Sequence, residues 1–141
     1  FSADPSVRWA CPEAENYLHF VGAFDAYGGK AIVNNSAYVA EGFMGTALWL
    51  PPNIEADEEK FVEEIEKNVA KEKQDSLFKV LEELEDYHSA NACWYLPIIT
   101  VDPNYQNNGI GSLLMKHALE KVDLDSLSAY LESPIQKYVL I

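Results

Sequence analysis

The sequence predicts an α/β fold: a mixed β-sheet flanked by helices, in which a β-hairpin feeds a parallel strand–helix–strand unit. Three observations predict it. Between residues 93 and 131 an apolar, β-branched run, a helical periodicity and a second short β-prone run follow one another, the pattern of a parallel crossover. Before them, two β-prone runs flank a turn at Glu41-Gly42. Elsewhere apolar residues recur at helical spacing. At 141 residues and 48% hydrophobic, with no internal repeat or linker, the chain is expected to form a single domain, 1–141.

Taken in order, Ala14, Tyr17, Leu18, Val21 and Phe24 predict a helix over about Pro12 to Phe24, punctuated by Gly28-Gly29. Ala37 to Ala40 and Phe43 to Leu50 are the hairpin strands, the second ended by Pro51-Pro52, which cannot donate to a ladder. Residues 55–86 differ in kind, holding 13 of the 23 acidic residues but 5 of the 10 basic ones. The stripes Phe61, Ile65, Val69 and Leu77, Leu81, Leu84, His88 predict two amphipathic helices there, with Asp75-Ser76 as the cap of the second. Their acidic faces are either solvated surface or an attraction for cationic substrates. Cys93 to Val101 reads as a buried central strand in which Pro97 implies a bulge or a break in pairing. The loop Asp102 to Asn108 then opens a helix near Gly109, with Ile110, Leu113, Leu114, Ala118 and Val122 as its buried stripe. Ser128-Ala129-Tyr130-Leu131 forms the last strand.

Composition excludes several function classes. A formal charge of −13 opposes any general grip on nucleic acid phosphates. No run approaches the ~18 apolar residues of a membrane span, and Phe1 to Pro5 has no secretory pattern. Two distant cysteines, Cys11 and Cys93, make neither a disulfide framework nor a four-cysteine metal site. His19, His88 and His117 have no partner at ligand spacing and read as structural, so no metal is expected. Cys93 has no basic neighbour to activate it as a nucleophile. These features describe a soluble cytoplasmic protein without a nucleic-acid or membrane partner.

The chemistry lies in Val101-Asp102-Pro103-Asn104-Tyr105-Gln106-Asn107-Asn108-Gly109-Ile110-Gly111-Ser112. A glycine-containing loop that opens a helix after a buried strand presents free N–H groups and the positive end of a helix dipole to an anion. Two phosphate motifs are excluded. Ser112-Leu113 follows the last glycine where a P-loop needs Lys-Ser or Lys-Thr, and Leu114 stands where a dinucleotide fingerprint needs its third glycine.

The whole string resembles the acyl-CoA-binding motif of the GNAT N-acetyltransferase superfamily: Gln or Arg, two residues, Gly, one residue, then Gly or Ala. Ala47-Leu48-Trp49-Leu50-Pro51-Pro52, Trp94-Tyr95-Leu96-Pro97 and Tyr130-Leu131-Glu132-Ser133 are similar to its puromycin acetyltransferase-like branch and occur in the expected order. The resemblance covers roughly residues 30–135. It implies a GNAT-like fold, apparently truncated, that uses acetyl-CoA as cosubstrate and acetylates a primary amine, small molecule or polyamine, with a homodimer as an open assembly. Ile99, Thr100 and Val101 would line the pantetheine arm where neighbouring strands splay, and the bulge at Pro97 would open the sheet for the thioester. Gln106, Asn107, Asn108, Gly109, Ile110, Gly111 and Ser112 would cradle the pyrophosphate. Asn107-Asn108 departs from the Gly-Lys common in the family, removing a basic contact. Asn nevertheless tolerates a left-handed backbone better than most residues.

For the catalytic groups, Glu132 is the first candidate for a base, the alternative being a carboxylate that only bonds loop N–H groups. Glu41 reads as a turn residue, with catalysis as the lesser alternative. Trp49, Trp94 and Tyr95 wall an amine pocket by cation–π contact or belong to the core. The family's usual general acid, a tyrosine beyond the strand that here ends in Glu132, would fall just past Ile141, and Tyr138 comes too early. The C-terminal strand region, and the first strand, are therefore expected to be missing from this chain. An acyl-CoA-binding pseudoenzyme that has lost its acid is the competing functional expectation.

Overall fold

The computed structural model describes residues 4–88 and 91–133. Helices α1 (Pro5–Ala10), α2 (Ala14–His19), α3 (Val21–Gly28) and α4 (Lys30–Val33) precede the hairpin strands β1 (Ala37–Val39) and β2 (Gly45–Leu50). Helices α5 (Glu58–Asn68) and α6 (Lys71–Glu85) follow, and α7 (Ile110–Asp125) joins β3 (Cys93–Val101) to β4 (Ser128–Leu131). The strands form one mixed sheet in the order β1-β2-β3-β4, parallel between β3 and β4 and antiparallel elsewhere. The α/β class and the crossover are those the sequence predicts.

Packing divides the described residues into two compact units. The first holds the sheet: Tyr27–Ala56 and residues 91–131. Ala47 and Trp49 of β2 and Trp94 and Leu96 of β3 form a core with Leu114, Ala118 and Val122 of α7. Leu48 and Ile98 turn to the opposite face, where they meet Gly28. Strict alternation along β3 would put Ile98 with Leu96. Between the pairs Leu48↔Ile98 and Leu50↔Tyr95, however, β3 uses one residue more than β2. The surplus falls at Leu96-Pro97, and a single extra residue flips every later side chain. Pro97 suits the position because it has no N–H to leave unpaired. Leu96↔Leu131 is the last β3–β4 pair. Among the described residues, β3 continues beyond the end of β4, with Ile98–Val101 paired to β2.

Gly45 lets α7 approach. A Cβ there would lie 2.9 Å from the Thr100 carbonyl oxygen and 3.1 Å from Ile110 Cγ2, so any side chain would push the first turn of α7 off the sheet. At the other end Trp94 Nε1 donates to Asp125 Oδ2 at 3.0 Å. The stripe on α7 differs from expectation at one position: Leu113 is exposed, while Leu114, Ala118 and Val122 are buried.

The second unit holds the described residues up to Ala26, Asp57–His88, and Glu132 with Ser133. Its core gathers Ala10, Cys11, Phe20, Ala23, Ile65 and Val69. The helix predicted over Pro12 to Phe24 is two, because α2 stops before Phe20 and α3 begins after it. Burying Phe20 at the join shifts the phase, so Phe20 and Ala23 are buried while Ala14, Leu18 and Val21 are exposed. Nor does Gly28-Gly29 end the helical run: Gly29 keeps right-handed helical angles and α4 follows it. Helix α1, capped by Asp4 accepting from the Ser6 and Val7 N–H groups, has no counterpart in the prediction.

The acidic pair of helices is present, but the break lies at Val69-Ala70 and not at Asp75-Ser76, which sit inside α6. Val69 turns extended as its side chain enters the core. Gln74 Nε2 then donates to the Glu66 and Val69 carbonyls, satisfying the end of α5. Because α6 ends at Glu85, His88 lies beyond the helix and off its stripe.

Candidate active site

The loop after β3 is built from local chemistry. The Asp102 carboxylate accepts from the Asn104 N–H at 2.8 Å, opening a 3₁₀ turn over Pro103–Tyr105. The Asp102 N–H donates to the Met44 carbonyl at 2.8 Å and ties the loop to the hairpin. Asn107 takes φ 63°, the left-handed conformation that asparagine tolerates. Gly109 takes φ 78° and caps α7 without any side chain on the first N–H groups. The amides of Gln106 and Asn108 turn inward, donating to the carbonyls of Val101 and Tyr105, each at 3.2 Å.

The space beside both glycines of the loop is open. A Cβ at Gly109 would meet nothing within 4 Å, and one at Gly111 only Val101 Cγ2 at 3.8 Å. No lysine or arginine occurs between residues 93 and 115. An anion at this loop would therefore meet backbone N–H groups and the dipole of α7 rather than a basic side chain. Ile99, Thr100 and Val101 lie on the part of β3 beyond the end of β4, and the 3₁₀ turn Pro103–Tyr105 leads from them to Gln106 to Ser112. The ten predicted cofactor residues thus lie along one strand–loop–helix path.

The proposed substrate-side residues separate. Trp49 is 1% exposed and enclosed in the α7 core, so it does not wall an amine pocket; alternation with Leu48 turns it inward. Trp94 is likewise core, and the Lys121 ammonium already lies 5.6 Å over its ring. Tyr95 is half-buried, and its hydroxyl is hydrogen-bonded to that of Tyr27. Its ring stacks on Tyr130 at 5.7 Å and meets the edge of Tyr27 at 6.2 Å. Neither Tyr27 nor Tyr130 was among the candidates. Tyr130 could have been found, since it holds the equivalent place in the next parallel strand; Tyr27 carries no sequence signal.

Glu132 directly follows β4. Its Oε1 lies 2.8 Å from His88 Nε2, with side-chain exposures of 18% and 42% respectively. His88, expected to be structural for want of a partner at ligand spacing, is thus the hydrogen-bond partner of Glu132. Glu41 opens the 3₁₀ turn of the hairpin. The His117 ring meets Tyr38 edge-on at 4.8 Å. No cluster of three or more metal-ligating side chains occurs among the described residues, and no described helix is long and apolar enough to cross a membrane. Tyr138 lies outside the described residues.

The four-stranded mixed sheet flanked by helices, with a glycine-started helix after β3, is consistent with the GNAT fold. Residues 49–134, more than half of the chain, match the acetyltransferase (GNAT) family, and the protein belongs to that family. The match contains β3, the loop, α7 and β4. Comparison with curated proteins finds no match.

Proposed function

We propose that the protein is an N-acetyltransferase that moves acetyl from acetyl-CoA to a primary amine by direct attack, acting in the cytoplasm. The observation that carries it is the continuous path from Ile99–Val101, on β3 beyond the end of β4, into the first turn of α7, where no side chain caps the N–H groups, within the acetyltransferase family. The segments Ala47 to Pro52, Trp94 to Pro97 and Tyr130 to Ser133 favour the puromycin acetyltransferase-like branch. Two free cysteines support a reducing compartment.

In this proposal Gln106 to Ser112 hold the pyrophosphate through main-chain N–H groups, and Ile99 to Val101 guide the pantetheine arm. Acetyl-CoA supplies an activated thioester. An N–H near Ile99 stabilises the developing oxyanion. The amine must be neutral to attack, and an alkyl ammonium has a pKa near 10.4. Glu132, held by His88, is the proposed proton acceptor.

Gly111→Asp tests the site. The space around Gly111 admits a side chain, so the variant is expected to fold while placing a carboxylate where phosphate binds. Titration calorimetry with CoA should show an affinity loss of about thirtyfold or more, about 2 kcal/mol for lost charge-assisted hydrogen bonds. Unchanged affinity in the folded variant would remove the assignment. CoA binding by the wild-type chain without acetylation of any amine would favour the pseudoenzyme.

A further inference from the structure

The face of the sheet turned away from α7 has an open end. Val39↔Thr46 and Thr46↔Thr100 are register partners, so these three residues form one rung across β1, β2 and β3. Thr46 alternates with Gly45 and Ala47, which both face α7, so the rung belongs to the opposite face. The next rung on that face, Ala37, Leu48 and Ile98, is covered where Leu48 and Ile98 meet Gly28. The end rung is more open: Val39 is 55% exposed, and Thr46 and Thr100 are half-buried. Here Val39, Phe43, Gly45, Thr46, Thr100 and Asp102 line a groove of about 420 Å³, a volume that suits a small molecule.

Phe43 is the unusual wall. It is 87% exposed, and its backbone takes φ 58° directly after Gly42 at φ 66°. A bulky residue rarely adopts that conformation, and so exposed a ring gains little from burial to offset it. Asparagine would be the comfortable residue, as at Asn35, Asn53 and Asn107 with φ 54°, 65° and 63°. What phenylalanine offers in exchange is a π face beside the groove.

Charge selects the ligand. Asp102 belongs to the lining; its Oδ1 accepts the Asn104 N–H at 2.8 Å, which leaves Oδ2 for a ligand. Glu41 adds an exposed carboxylate on the same turn as Phe43. No lysine, arginine or histidine occurs in residues 31–59 or 93–115, the segments that supply the lining. An anion would find no counter-charge here, and a neutral ligand would leave the carboxylate unused.

We propose that this groove binds an organic ammonium with an apolar body, the cation held by the Phe43 ring and the Asp102 carboxylate and the body lying along Val39, Thr46 and Thr100. A ring face and a carboxylate both attract a cation, and the mostly apolar remainder of the wall receives the body. The inference stands on the groove and does not need the transfer reaction proposed above. The ammonium belongs either to the acceptor amine or to a ligand that is not consumed.

The experiment titrates the full chain, labelled with ¹⁵N, with benzyltrimethylammonium, benzyl alcohol and benzoate. The amide signals of Phe43, Thr46 and Thr100 should move saturably with the ammonium, more weakly with the alcohol and not with benzoate. Asp102→Asn keeps an acceptor for the Asn104 N–H and removes the charge. Ammonium affinity should then fall about two- to fivefold while that for benzyl alcohol holds. Phe43→Asn relieves the backbone, so its melting temperature should hold or rise while ammonium affinity falls by a similar factor. Equal binding of alcohol and ammonium, signals that move elsewhere, or unchanged ammonium affinity in both variants overturns the assignment and leaves the transferase standing. A lower melting temperature in Phe43→Asn would make the ring a packing residue and likewise overturn it. Benzylamine with acetyl-CoA separates the two sources. Acetylation that the quaternary probe inhibits competitively identifies the acceptor, and binding without acetylation identifies a ligand that is not consumed; both keep the groove.

Discussion

A carboxylate and an imidazole at 2.8 Å can be a surface ion pair or a piece of chemistry, and magnitudes separate the two for His88 and Glu132. An exposed pair of this kind contributes about 0–1 kcal/mol, too little for a melting curve to resolve its role. Kinetics resolve it. Glu132→Gln keeps the shape and removes the basicity, so turnover is expected to fall ~10²–10⁴-fold with CoA affinity unchanged. Wild-type turnover would make the pair structural and pass proton removal to solvent. At this scale Asn107 was legible, because the tolerance of asparagine for φ 63° is a property of one residue. The partner of Glu132 was not, because His88 lies 44 positions away in the chain.

Helix α7 and strand β3 are the elements that make a site out of a sheet. Gly45 sets their spacing, with a missing Cβ that would stand 2.9 Å from the Thr100 carbonyl and 3.3 Å from Leu114 Cδ1. Gly45→Val is therefore expected to cost ~1–3 kcal/mol by overpacking, measured as a lower denaturation midpoint. It should also weaken CoA binding, since displacing the first turn of α7 displaces the N–H groups proposed to receive the anion. Full stability together with full affinity would mean that the helix approaches less closely than these distances state. The ends of β3 and β4 were legible from their apolar runs, and the bulge from Pro97. The break between α5 and α6 was not. Asp75-Ser76 looks like a cap in sequence, but burying Val69 decides where the chain turns.

Over the whole molecule the two cysteines report on the two units separately. Cys11 is fully buried in the helical core, while Cys93 is half-buried at the start of β3. Burial pushes the Cys11 thiol above its ordinary value, and the Lys73 ammonium offsets this only in part. The unfolded chain then releases its Cys11 proton first as pH rises past about 8.5, so stability from this group falls with increasing pH in that range. A thiol reagent at pH 8, with the products resolved by mass, should label Cys93 first and Cys11 only as the helical unit opens. Equal rates would show that the core around Cys11 is open. The sequence by itself determined the order of strands and helices from Cys93 to Leu131, the irregularity at Pro97 and the glycine start of α7. These follow from one residue or its near neighbours: a missing N–H, a missing Cβ, a local periodicity. Only the tertiary structure decided that Trp49 is core, that Tyr95 meets Tyr27, and that Glu132 meets His88. The faces of β3 depend on a bulge that inverts alternation, and the partners are brought together by packing between segments that no local pattern connects.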